Sequence, residues 1–105
     1  MSFRVVYVTA KDEEEAQRIA STLLEEHLIA CANIFPIRSS YWWKGTIEKE
    51  EEVALIMKTQ KANMERIIKE IKRVHSYEVP CIESWPIEEG NPEFLEWINE
   101  ETKAA

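Results

Sequence analysis

Residues 30–59 read ACANIFPIRSSYWWKGTIEKEEEVALIMKT, and the way this stretch folds decides the rest of the chain. Ala30 to Trp43 is rich in aromatic and β-branched residues and reads as a strand; Pro36 within it lacks an N–H and marks a bulge or a sheet edge. Lys44-Gly45 supplies a tight turn, and Thr46 to Thr59 returns as the second arm. The run Glu48-Lys49-Glu50-Glu51-Glu52 suits a helix when taken alone. The turn before it and the apolar Val53-Ala54-Leu55-Ile56-Met57 after it favour a hairpin.

On the N-terminal side, Phe3 to Thr9 reads as a strand, and Asp12 to His27 as an amphipathic helix. Ala16, Ile19, Ala20, Leu23 and Leu24 recur at helical spacing there, with Glu13 to Glu15 in the first turn, where the helix dipole favours negative charge. On the C-terminal side, Met64, Ile67, Ile68, Ile71 and Val74 form a second helical stripe ending at His75. Glu78 to Trp85 reads as a fourth strand, and Asn91 with Pro92 opens a last helix to about Glu101. The order predicts an α+β, ferredoxin-like βαββαβ sheet of strand order 4-1-3-2, with two helices on one face and a C-terminal helix. No linker interrupts residues 1–105, which are expected to form a single domain.

Thirteen Lys and Arg against 20 Asp and Glu give a net charge of -7, which repels phosphate backbones and anionic lipid; nucleic acid and membrane partners are disfavoured. Val5-Val6-Tyr7-Val8 is too short for a signal-peptide core or a spanning segment, so a cytoplasmic protein is expected. Cys31 and Cys81 show no C-x-x-C spacing and fall on opposite edge strands, too far apart for an intrachain disulfide; each is best explained as a small buried hydrophobe. Enrichment in Glu, Lys and Ile leans towards a heat-adapted, thermostable protein.

Both faces of the predicted sheet are apolar at its centre. Val53, Leu55 and Met57 oppose Ala54 and Ile56, while Phe3, Val5 and Tyr7 oppose Val6 and Val8. Two helices cover one face, so the other, which carries Ile56, requires a second copy. The hairpin arms are twice as long as the first strand, and Tyr41, Trp42 and Trp43 at their tip are expected at an oligomer interface.

Ala30-Cys31-Ala32-Asn33-Ile34, Tyr41-Trp42-Trp43-Lys44-Gly45, Met57-Lys58-Thr59 and His75-Ser76-Tyr77-Glu78-Val79-Pro80 together resemble the CutA divalent-cation tolerance family over nearly the whole chain. The resemblance implies a ferredoxin-like homotrimer linked to copper and other divalent cations. It would carry copper ligands onto a cysteine near the end of the first strand and a His-His pair before the Tyr. Here those positions are Val8 and Val74-His75. Only His75 survives as a metal ligand, which implies weak binding of Cu(II) or another divalent metal.

Lys58, Tyr77, Glu78 and Cys31 are the candidate ligand-binding residues beside it. Lys58 at a strand end can hold an anion or pair with Glu78, Tyr77 can donate a hydrogen bond, and Glu78 can bind a cation. The expected function is metal tolerance through metal-ion binding, without catalysis. The alternative is a small-ligand or protein-binding signalling trimer like the PII proteins, which rests on fold analogy.

Overall fold

The computed structural model describes residues 2–103. Strands β1 (Phe3–Ala10), β2 (Cys31–Trp43), β3 (Thr46–Gln60) and β4 (Ile82–Ile87) form one antiparallel sheet in the order β2-β3-β1-β4. Helices α1 (Glu13–Glu25) and α2 (Met64–Val74) are the two crossovers, and α3 (Pro92–Glu101) is the last element among the described residues. The ferredoxin-like order expected from the sequence is the one observed.

The helices form where their caps permit. Asp12 accepts a hydrogen bond from the Glu15 N–H at 2.9 Å and starts α1; Asn91 accepts from the Glu93 N–H at 3.1 Å and starts α3, with Pro92 in its first turn. α1 closes by the pair Leu28 N–H to Leu23 O (2.9 Å) and His27 N–H to Leu24 O (3.0 Å), a Schellman motif with His27 left-handed at φ 56. His27 is thus an exposed residue outside the helix, and its Nδ1–H donates to the Glu101 carbonyl at 2.9 Å. The helix expected to run to His27 therefore ends at Glu25.

The core lies between the sheet and the first two helices. Val6, Val8, Leu55 and Met57 meet Ile19, Leu23, Ile67 and Ile71, all of them fully or almost fully buried. Burying each such aliphatic side chain contributes about 1.5–3 kcal/mol. Alternation turns Val5, Tyr7, Ile56 and Phe35 to the opposite face, where they stay half-exposed, and Trp85 on β4 is 43% exposed beside Tyr7.

The hairpin arms of 13 and 15 residues outrun the eight residues of β1. Lys44 (φ 48) and Gly45 (φ 85) both have positive φ, the backbone that a two-residue hairpin turn requires. Pro36 sits on the edge strand β2, where its missing N–H costs no ladder bond.

The fourth strand begins at Ile82 and not at Glu78. Residues 76 and 77 give their N–H groups to side chains, and Pro80 has none to give, so an alternating segment that looks extended never joins the ladder. Both cysteines are free. Cys31 is half-buried, whereas Cys81 is exposed just ahead of β4, which corrects its reading as a buried hydrophobe. Desolvation and the charge of Glu83 push the Cys81 thiol up, so it stays protonated at neutral pH.

Candidate functional site

The C-terminal end of α2 delivers His75 to the end of β1. Its Nε2 lies 2.7 Å from the Thr9 carbonyl oxygen, and its Nδ1 lies 3.0 Å from the Tyr77 backbone nitrogen. A carbonyl only accepts and a backbone N–H only donates, so Nε2 carries the proton and Nδ1 is the acceptor. The neutral imidazole is therefore held at both nitrogens, with its side chain fully buried. Coordination of a metal at His75 requires one of these bonds to be given up.

Glu15 stands behind it. The carboxylate is buried; Oε1 accepts from the Lys11 N–H at 3.0 Å, and Oε2 from the Ser76 N–H at 2.9 Å. Desolvation alone would push this carboxyl up, but the hydrogen bonds from Lys11 and Ser76 outweigh it and hold it below the usual carboxylate range. Glu15 is a residue that the sequence reading missed. The signal was the Asp12-x-x-Glu15 capping spacing, in which an acid at the third helical position turns back to free N–H groups.

Beyond the end of β1, the hairpin and the segment 76–81 enclose a cleft of about 880 Å³. Glu48, Glu50 and Glu52 line it from β3, Tyr41 and Trp43 from β2, and Tyr77 from the facing segment. The Tyr77 hydroxyl donates to Glu52 Oε2 at 2.6 Å, and the Tyr41 hydroxyl to Glu50 Oε2 at 2.8 Å. Desolvation and the Glu52 hydrogen bond raise the Tyr77 phenol far above its ordinary value; the Glu50 hydrogen bond pushes Tyr41 up to about 12. Both phenols are donors at neutral pH. Among the described residues the one basic lining residue, Arg38, pairs across the ladder with Glu51, whose alternation sets it on the other face from Glu50 and Glu52. At the rim Lys44 Nζ lies 3.6 Å from Glu78 and 5.4 Å from the centroid of the Trp43 ring.

Of the residues proposed from sequence, the structure brings together His75, Tyr77, Glu78, Tyr41 and Trp43. It does not bring Lys58, Cys31 or Ile56 to them. Lys58 pairs with Val5 and Cys31, six residues along β3 from Glu52, or about 20 Å within one protomer. Glu78 is paired with Lys44 and not with Lys58. Trp42 lies opposite Ile47 on the other face of the hairpin and is 72% exposed. Among the described residues no group of three or more His, Cys, Asp or Glu side chains is placed to hold a metal ion.

The family model of the CutA1 divalent ion tolerance protein matches residues 4–101. The divalent-cation tolerance protein CutA of Archaeoglobus fulgidus is 52% identical over 95 residues, covering 90% of this chain and 93% of that one. The protein of the same name from Pyrococcus horikoshii is 43% identical over 94% of this chain and 97% of its own. Among solved structures, the periplasmic divalent cation tolerance protein CutA of Archaeoglobus fulgidus superposes with a TM-score of 0.95 at 48% identity, over 96% of this chain and 99% of that chain. CutA1 from Oryza sativa does so with a TM-score of 0.96 at 37% identity, over 100% and 97%.

Proposed function

The chain belongs to the CutA1 divalent ion tolerance family, and from that premise we propose that it is a non-catalytic homotrimer that binds divalent cations, Cu(II) among them, weakly and in the cytoplasm. The observation that carries the assembly is the second apolar face of the sheet. Val5, Tyr7, Phe35 and Ile56 stay half-exposed there although they line the sheet opposite a finished core. Unpaired Cys31 and Cys81 suit a reducing compartment.

Weak binding follows from the donors. Within one protomer His75 is held at both nitrogens, and the carboxylates of the cleft are spread along a strand. A cation therefore meets single carboxylates, or donors contributed by more than one subunit, in place of a closed cage. The anion-binding alternative needs Lys58 beside Tyr77. Lys58 lies six residues along β3 from Glu52, the hydrogen-bond partner of Tyr77, and this distance together with the acidic walls of the cleft favours a cation over an anion.

Calorimetric titration with Cu(II) of the wild type and of His75→Ala tests this reading. His75→Ala should leave the affinity nearly unchanged while lowering thermal stability, because the imidazole bridges Thr9 and Tyr77. A loss of affinity of roughly ten- to a hundredfold, the range that even residues supporting a metal ligand command, would mean that His75 leaves its bonds to bind the metal.

A further inference from the structure

Helix α3 is held to the rest of the protein by its end more than by its side. Of its ten residues only Ile98 is buried, and Ile98 lies outside the core cluster shared by the sheet, α1 and α2. Phe94 and Trp97 stack on each other at 5.5 Å and are each 40% exposed. Few buried apolar contacts mark an element that opens locally at a lower free energy than the whole chain. An isolated helix of this length is marginal in water, so α3 keeps its backbone hydrogen bonds only while it is docked.

The last carbonyls of a helix have no partner within it. Here side chains from three other segments clasp the end of α3. His27, just past α1, donates from Nδ1 to the Glu101 carbonyl at 2.9 Å. Asn63, just ahead of α2, donates from Nδ2 to the Thr102 carbonyl at 3.1 Å, and Gln60, at the end of β3, donates from Nε2 to the Thr102 hydroxyl at 2.9 Å. That hydroxyl passes its own hydrogen to the Ile98 carbonyl at 2.6 Å. Gln60 and Asn63 also flank the single 3-10 turn (Lys61–Asn63) that leads into α2, the position from which a side chain caps a helix, yet neither makes a capping bond. Both reach for α3 instead.

We propose that α3 is a latch. It opens as a unit while the sheet, α1 and α2 stay folded, and Gln60 and Asn63 exchange between clasping the end of α3 and capping the start of α2. Capping bonds made on opening offset part of those lost from the clasp, which brings the open state closer in free energy to the closed one. The latch goes beyond cation binding and does not depend on it.

Amide hydrogen exchange on the intact, assembled protein tests this. Amides 95–102 should exchange faster than those of α2 and of the core strands β1 and β3. Asn63→Asp keeps the size of the side chain, loses the donor to Thr102 and puts a strong capping residue at the start of α2. The amides of α3 should then exchange roughly three- to tenfold faster, as the loss of one hydrogen bond requires, while α2 keeps or gains protection. Thr102→Val, close to isosteric, removes the hydroxyl that accepts from Gln60 and should act in the same sense; it maintains the test if Asn63→Asp does not fold. Exchange in α3 no faster than in the core strands, rates in α3 unchanged by both variants, or α2 losing protection together with α3 would overturn the proposal.

Discussion

Ile56→Asp should yield a folded but dissociated protein. Ile56 lies on the sheet face away from α1 and α2 and is half-exposed in the protomer, so the carboxylate stays solvated while the chain is alone. In the proposed assembly it would be buried without a partner, at a cost of several kcal/mol per subunit. Light scattering after size exclusion should report a trimer for the wild type and a monomer for the variant, with matching far-UV circular dichroism. Leu55→Asp, one residue earlier but inside the core, should lose the helical signal itself. A wild type that elutes as a monomer, or an Ile56→Asp protein that stays trimeric, would remove the apolar face as the cause of assembly.

Glu15→Ala should cost about 2–4 kcal/mol, since it removes the buried acceptor of the part-buried N–H groups of Lys11 and Ser76. The nearby Arg18 contact at 3.6 Å is half-exposed and adds little. The effect should also depend on pH in a defined sense. The folded carboxyl titrates below its ordinary value of 4.5, so its contribution is fully present above that value and fades as pH falls through the folded pKa. Urea titrations from neutral pH down through the carboxylate range should show the wild type losing its advantage over Glu15→Gln in acid. An advantage independent of pH would mean that shape, and not charge, makes Glu15 matter.

Much of the fold was legible because it depends on local pattern. The stripe of Met64, Ile67, Ile71 and Val74, the Lys44-Gly45 turn and the Asn91-Pro92 start are each decided within a few residues. The site was less legible because its chemistry is tertiary. Glu15 looks like one of three acids favoured by a helix dipole, and only the return of the chain at Ser76 shows that it is an internal acceptor. His75 carries the residue type of a ligand, but its neighbours decide that both nitrogens are occupied. Lys58 and Glu78 suggested an ion pair because each looked like a strand end. The ends prove to be opposite ones, since β3 runs antiparallel to β1 and the loop before β4 lies beside the far end of β1. Glu78-Val79-Pro80-Cys81 has strand-like composition, yet pairing with β1 starts only at Ile82 opposite Val8.

The unequal lengths of β1 and β3 carry a consequence for amide hydrogen exchange. β1 stops at Ala10, opposite Val53, whereas β3 extends seven residues further towards the turn, paired with β2 alone. In an antiparallel ladder successive amides point to alternate sides, so along residues 46–52 every second N–H is directed at the space that β1 has left. In a lone protomer those amides should exchange quickly while the intervening ones, bonded to β2, exchange slowly, giving a two-residue rhythm of protection. A neighbouring chain laid along that edge would slow the fast set and erase the rhythm. The exchange pattern of seven backbone amides in β3 thus reads out, residue by residue, whether the exposed edge of the hairpin has been taken up by another strand.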